Sequence, residues 1–397
     1  MSYAVPGVRL GVAQAGIKKA GKDDLLLIAL SKKTQTAAVF TQNAFCAAPV
    51  RLARNHLALS LGRPQYLLIN TGNANAGTGE EGLAGAMSCC AALGALAETP
   101  DTAVLPFSTG VIGEPLPVDR IEKAIPLAFD ALQADHWERA ADAILTTDTR
   151  PKLRTLTLKI DGQLCVITGI AKGAGMICPN LATMLAFIAT DAAIASPLLD
   201  TLLRNAVNKS FNRITVDGDT STNDAVTLAA TGESGVAIEE GSQQATDFSE
   251  ALEALMIGLA QDIVRDGEGA TKFVEIRVAG GESEAACDQV ARTIAHSPLV
   301  KTALFAADPN WGRILAAIGR AGLEGLDTKM VSIEINGVLI AEHGARAASY
   351  TESLGQSAME DDELQLRVTL QRGAAQSLLW TTDLSYDYVK INAEYRT

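Results

Sequence analysis

The chain has 397 residues, of which 48% are hydrophobic and 20% charged, and its formal net charge is −13. So much apolar sequence can bury a large core, in one big domain or in two or three smaller ones, and it excludes a disordered chain. The acidic balance argues against nucleic acid and anionic membrane surfaces as partners.

Residues 1–16 lack the basic and apolar regions of a signal peptide, and no apolar run approaches the length of a membrane span. A soluble, cytoplasmic protein is therefore expected. The first third reads as short strands between glycine-rich turns. Residues 25–30 and 37–40 are buried strands, and 66–69 is another, ending in a polar turn over 70–77. An alanine-rich helix follows over 81–96. Helical periodicity runs from 121 to 144, with Pro126 placed to kink or split it. Residues 153–160 and 164–170 alternate on either side of Asp161-Gly162, the signature of a hairpin with a type I′ turn. Regular structure then stops for about ten residues within Lys172-Gly173-Ala174-Gly175-Met176-Ile177-Cys178-Pro179-Asn180-Leu181-Ala182-Thr183-Met184-Leu185.

Downstream, Ser196-Pro197 reads as an N-cap with proline at the first helical position, ahead of an apolar face of Leu198, Leu199, Leu202, Leu203, Ala206 and Val207. A helix over 247–265 stops near Gly267. A strand follows at 273–278 and a helix at 288–295, then a hairpin at 330–341 around Asn336-Gly337, then strands at 364–370 and 378–382. Strands and helices mix throughout, which predicts an α/β or α+β fold of layered sheets covered by helices.

Several kinds of chemistry fit poorly. The four histidines stand apart, and no GxSxG elbow is present. The six cysteines form no CxxC pair and read as small core residues in a reducing compartment, so neither a zinc site nor a disulfide framework is expected. Asp217, Asp219 and Asp224 lack the spacing of an EF-hand loop. Lys172 precedes its glycines rather than following them, so a tight turn fits 172–175 better than a phosphate loop. A threonine nucleophile needs no histidine. Thr183 follows the small residue Ala182, and breaking that bond would give Thr183 a free α-amine. With a pKa of about 8, the amine could serve as base to the threonine's own hydroxyl. Spacing alone does not raise this reading above that of a buried strand threonine.

Five separated motifs, in order, change the balance. They are 172–185, Ser108-Thr109-Gly110-Val111-Ile112-Gly113, Thr146-Thr147-Asp148-Thr149, Asp266-Gly267-Glu268-Gly269-Ala270-Thr271-Lys272 and Ile391-Asn392-Ala393-Glu394-Tyr395-Arg396-Thr397. Together they resemble the ornithine acetyltransferase (glutamate N-acetyltransferase) family of arginine biosynthesis, over nearly the whole chain. The resemblance implies autocatalytic cutting between Ala182 and Thr183, with Thr183 as nucleophile and acetyl carrier. It implies Thr109 and Gly110 as oxyanion donors, and Thr147 (favoured over Thr146), Lys172, Thr183, Glu268, Asn392 and Thr397 as substrate contacts. Two more family-like stretches, 212–224 and 308–314, read as structural.

The substrates implied are N-acetylornithine and glutamate, in a ping-pong exchange with no metal or organic cofactor. Acetyl-CoA is left open as a second acetyl donor. Lys172 would meet an α-carboxylate and Glu268 a cationic amine. The family fold implies an αββα sandwich made jointly by an α chain, 1–182, and a β chain, 183–397, with a smaller C-terminal α/β domain over about 280–397 and an α2β2 assembly. Two other readings are a self-processing aminopeptidase of related fold and an uncut, non-catalytic amino-acid-binding protein. Acetyl-transfer and peptide-cleavage assays separate the first from the acetyltransferase, and an intact single-chain mass would favour the second.

Overall fold

The computed structural model describes residues 3–18, 21–160, 162–178 and 184–394. Ala182, Thr183, Thr397 and the turn residue Asp161 lie outside them. The chain forms two compact units, Met1–Asn212 with Asp219–Ile263, and Arg213–Gly218 with Val264–Thr397.

The first unit opens with β1 (Val8–Ala13), β2 (Leu25–Leu30), β3 (Gln35–Phe40), α1 (Ala48–Leu59), β4 (Tyr66–Asn73) and α2 (Gly79–Leu96). It continues with β5 (Val104–Val111), α3 (Val118–Asp130), α4 (Trp137–Ala143), β6 (Lys152–Ile160) and β7 (Gln163–Lys172). Then come β8 (Leu185–Thr190), β9 (Ala193–Ile194), α5 (Ser196–Lys209), β10 (Ala225–Ala230), β11 (Ala237–Ile238) and α6 (Gln243–Arg265), the helix that carries the chain into the second unit.

A four-stranded sheet runs β1-β2-β4-β5, and a five-stranded sheet runs β3-β10-β8-β7-β6. Parallel pairs lie within each, β4 with β5 and β8 with β10. β2, β8 and β10 are buried at every position, which is why they read as continuous apolar runs rather than alternating ones. The inner faces of the sheets share one core, where Leu26, Ile28, Leu67 and Phe107 meet Ile170, Leu185, Phe187 and Ala225. The Phe107 and Phe187 rings stand edge to face with centroids 5.1 Å apart. On the outer face of the four-stranded sheet, Leu25, Leu27 and Val104 pack with Leu52 of α1, Leu93 of α2 and Ile125 of α3. α5 covers β3 and β10. α6 lies so close to β7 that a Cβ at Gly169 would stand 3.1 Å from both Leu255 and Leu259. The layers are thus helix, sheet, sheet, helix, as the αββα expectation required. Strands on both sides of position 182 share the five-stranded sheet: β3, β6 and β7 precede it, β8 and β10 follow.

Three local expectations need correction. Pro126 stays inside α3, and the helical run breaks instead at 131–136. There Gln133 exchanges backbone hydrogen bonds with Leu10 of β1 at 2.8 and 3.0 Å, so a distant strand terminates the helix. Ser196 is the first residue of α5, and Ala195 occupies the cap. Asn70–Asn73, expected as turn, continues β4 because β5 pairs alongside it.

The second unit contains β12 (Phe273–Gly281), α7 (Glu284–Ala295), α8 (Pro298–Phe305), α9 (Trp311–Gly319), β13 (Ser332–Ile335) and β14 (Val338–Glu342). β15 (Ala345–Arg346), α10 (Glu352–Ala358), β16 (Glu363–Thr369), β17 (Ala375–Thr382) and α11 (Tyr386–Ala393) complete it. Its sheet runs β15-β14-β13-β16-β12-β17. Val274, Ile276 and Val278 of β12 pack with Val290 and Ile294 of α7 and Ile318 of α9. Asn336 and Gly337 take φ of +46° and +78°, as a type I′ hairpin turn requires. Ser283, Ser297, Asn310, Thr351 and Ser385 each cap a helix here with a side-chain acceptor.

Five of the six cysteines are buried, and Cys46 is half-buried. Burial pushes the thiols of Cys89 and Cys165 up to about 12. The folded protein is therefore expected to titrate one thiol with a disulfide reagent near pH 8, and Cys46→Ser should abolish that signal. Release of a second equivalent on the same timescale would contradict the packing described.

Candidate active site

The site in the first unit begins where the parallel strands β4 and β5 end. Gly72 and Gly110 face each other there, and the register slips at Asn73. Gly110 has φ +135°, and a Cβ on it would lie 2.3 Å from the Gly72 carbonyl carbon and 2.5 Å from the Asn73 nitrogen. Glycine at both places lets the two backbones approach and form a bulge, a device that re-aims backbone groups at strand ends. Thr109 beside it is buried.

Side-chain amides hold this bulge. Ser108 Oγ donates to Asn70 Oδ1 at 2.5 Å. Asn73 Nδ2 donates to the carbonyls of Glu114 and Pro115 at 3.1 and 2.9 Å, and its Oδ1 accepts the Asn75 N–H at 2.8 Å. Asn223, just before β10, donates through Nδ2 to the carbonyls of Ala74 at 2.5 Å and Ser108 at 2.9 Å. Asn70, Asn73 and Asn75 thus serve as buried clamps, their amide Nδ2 groups donating to backbone carbonyls.

The second element of the site is a carboxylate that sequence reasoning passed over. The Asp148 side chain is fully buried and pairs with the equally buried Lys152. It also accepts the N–H of Gly173 at 2.7 Å and of Thr146 at 3.0 Å. Burial would raise its pKa, but Lys152 and Lys172 outweigh burial and hold it down at about 2. Lys172 Nζ donates to Thr146 Oγ1 at 3.1 Å. Thr146 is therefore engaged in holding Lys172, and Thr147, half-buried, is the other threonine of the pair. The one local signal for Asp148 was its i,i+4 spacing to Lys152.

Lys18 joins the two elements. Its stem runs over Gly72, whose added Cβ would lie 2.9 Å from Lys18 Cγ. Its ammonium reaches the carbonyls of Ala143, at 3.3 Å, and Leu145. Burial pulls Lys18 down to about 8, with Asp24 opposing and Lys172 reinforcing the shift. Asp24 orders this segment by accepting the N–H groups of Ala15, Ile17 and Lys18 at 2.6, 2.6 and 2.9 Å. Among the described residues, no group of three or more His, Cys, Asp or Glu side chains could hold a metal ion.

In the second unit, the buried Glu268 accepts from Asn392 Nδ2 at 2.7 Å through Oε2. The loop that carries Glu268 is fixed by Asp383, which accepts Thr271 N–H at 2.8 Å, Thr271 Oγ1 at 2.7 Å and Lys272 N–H at 3.0 Å. Ser385 Oγ donates to Gly269 O at 2.6 Å. No sequence signal marked Asp383. Of the predicted site residues, then, Thr109, Gly110, Thr147 and Lys172 fall in one region of the first unit, and Glu268 and Asn392 touch in the second. Ala182, Thr183 and Thr397 lie outside the described residues.

The sequence pattern of the ArgJ family matches residues 9–397. The chain belongs to the ArgJ family. An arginine biosynthesis bifunctional protein ArgJ from Methylococcus capsulatus is 56% identical over 394 residues, covering 99% of this chain and 96% of that protein. The ArgJ of Pseudomonas syringae pv. tomato is 52% identical over 399 residues, covering 100% and 97%. A crystal structure of ArgJ from Bacillus halodurans, 40% identical, superposes with a TM-score of 0.51; the match takes up 54% of this chain and 100% of that one. No described helix in this ArgJ family member is long and apolar enough to cross a membrane.

Proposed function

We propose that the chain moves the acetyl group of N2-acetyl-L-ornithine to L-glutamate through an acetyl-threonine at Thr183, made available by cutting of the Ala182–Thr183 bond. Full-length identity with bifunctional ArgJ proteins carries this reading and places the chain among the acetyltransferases of arginine biosynthesis.

Thr183 Oγ bonds to the acetyl carbonyl carbon while its proton passes to the threonine's own α-amine. Backbone N–H groups at Thr109 and Gly110 face the oxyanion, and the bulge held by asparagines supports that role by fixing their direction. Collapse breaks the carbon–nitrogen bond, and the proton on the amine goes to the departing ornithine nitrogen. The glutamate amine then attacks the ester, N-acetylglutamate leaves and the hydroxyl is restored. Lys172, held by Thr146, suits a substrate carboxylate. Thr147, Asn392 and Thr397 are further substrate contacts, and Glu268 meets the cationic amine. No metal or organic cofactor enters these steps. The working form is an α2β2 assembly of cut chains in the cytoplasm.

Initial rates with both substrates varied should give parallel double-reciprocal lines, and labelled ornithine should exchange into acetylornithine without glutamate. Intersecting lines and no exchange would contradict an acetyl-enzyme. Replacing acetylornithine by acetyl-CoA in the same assay decides whether the second donor is used.

A further inference from the structure

Lys18 takes no part in the proposed chemical steps, yet it touches both elements of the site in the first unit. Its backbone N–H donates to Asp24 at 2.9 Å, which sets the side chain against the end of β4. A Cβ added at Gly72 would stand 2.9 Å from Lys18 Cγ and 3.0 Å from Ile17 Cγ2. Gly72 is the strand-end residue that pairs with Gly110, so this contact bears on the bulge that carries the proposed oxyanion donors. At its other end, the Lys18 ammonium donates to the carbonyls of Ala143 and Leu145. Ala143 is the last residue of α4, where carbonyls lack partners within the helix, and Leu145 directly precedes Thr146. Thr71, next to Gly72, donates through Oγ1 to the same Ala143 carbonyl at 2.8 Å, and its N–H donates to the Asp24 carbonyl at 2.9 Å.

The choice of side chain narrows the role. Filling the space beside Gly72 needs only the aliphatic stem, and a methionine would do so without the cost of half-burying an ammonium. What lysine adds is a pair of hydrogen bonds to the chain that leads into Thr146-Thr147. That segment is held from its other side as well, since the Thr146 N–H donates to Asp148 at 3.0 Å and Thr146 Oγ1 accepts from Lys172 at 3.1 Å. We propose that Lys18 is a positioning residue for acetyl transfer: it ties the Leu145 carbonyl, and with it Thr146 and Thr147, to the strand end that pairs with Gly110, so that the amino-acid part of a substrate and its acetyl carbonyl are held at one spacing. A reacting carbonyl misplaced by about 1 Å loses about 10²-fold in rate, while the groups that grip the amino acid still bind it. This inference rests on the assignment of Thr109, Gly110 and Thr147 to the substrate site.

Lys18→Met in the full-length protein tests it, because methionine keeps the stem and removes the donors. The variant should fold with a Tm within about 4 °C of wild type, as expected for the loss of about one exposed-side hydrogen bond. Its kcat should fall at least about tenfold, with both KM values within about twofold of wild type. Exchange of labelled ornithine into acetylornithine without glutamate should slow by the same factor, since both half-reactions use the same spacing. Lys18→Arg retains donors for the two carbonyls and should keep a kcat above that of Lys18→Met. Wild-type kcat in the folded methionine variant would overturn the inference. So would a raised KM for one substrate with kcat retained, which marks a direct substrate contact. A lowered Tm with kcat per folded molecule retained, or failure to fold, would overturn it too, as either marks a helix cap alone. Thr147→Val, measured alongside, separates the two ideas. If it leaves both KM values at wild type, the substrate-site assignment fails; if it raises them while Lys18→Met behaves as wild type, only the present inference fails.

Discussion

A Gly110→Ala chain is expected to lose both stability and turnover. The added methyl would sit 2.3–2.6 Å from the carbonyl of Gly72 and the nitrogen of Asn73, backbone atoms that no rotamer change can move aside. Relief requires β4 and β5 to separate or the bulge to flatten, and φ of +135° adds strain for any residue with a side chain. Each effect costs about 1–3 kcal/mol, so chemical denaturation should show a loss of about 3 kcal/mol. The proposed oxyanion donors move with the bulge. Loss of one such donor lowers kcat about 10²–10³-fold, and acetyl transfer should fall by at least that much. Activity within tenfold of wild type would mean that the backbone at 109–110 does not face the reacting carbonyl.

The second large effect is expected at Asp148. Asp148→Ala breaks a buried ion pair with Lys152 and removes the acceptor of the Gly173 N–H. Breaking such a pair from one side costs about 3–5 kcal/mol. The pH dependence of wild type carries the same signature. Asp148 is held at about 2, below the ordinary aspartate range, chiefly because Lys152 and Lys172 outweigh its burial. A carboxyl lowered on folding contributes stability that is complete above about pH 4 and is lost as pH falls through about 2, by on the order of 2 kcal/mol. Denaturation midpoints recorded from pH 6 to pH 2 should fall along this limb in wild type and more shallowly in the variant. Parallel profiles would show that the pair is not coupled to folding. The variant should also raise KM, because Lys172 loses the charge that faces it.

Local chemistry explains which parts were legible in the sequence. The turn at Asn336-Gly337 could be read because positive φ at two successive positions selects those residue types. Thr109, Gly110, Lys172, Glu268 and Asn392 were singled out by resemblance alone, and each taken by itself favoured a structural reading. Features set by distant chain were not legible. The end of α3 is decided by Gln133 pairing with Leu10, more than a hundred residues away in sequence, so Pro126 was a misleading signal. β4 extends through Asn70–Asn73 only because β5 lies beside it. Asp148, Asp224 and Asp383 looked like ordinary acidic residues, since what distinguishes them is burial against groups that folding brings to them. Asp224 in particular was weighed only as a metal ligand, and its burial depends on the parallel pairing of β8 and β10.

The central claim is that the chain becomes an enzyme by cutting itself. A denaturing mass spectrum of the purified protein, recorded beside Thr183→Ala, tests it most directly. The account predicts two wild-type fragments that meet between Ala182 and Thr183, and a single intact mass from the variant. A wild-type protein that is folded and active in acetyl transfer but of one uncut mass would contradict it.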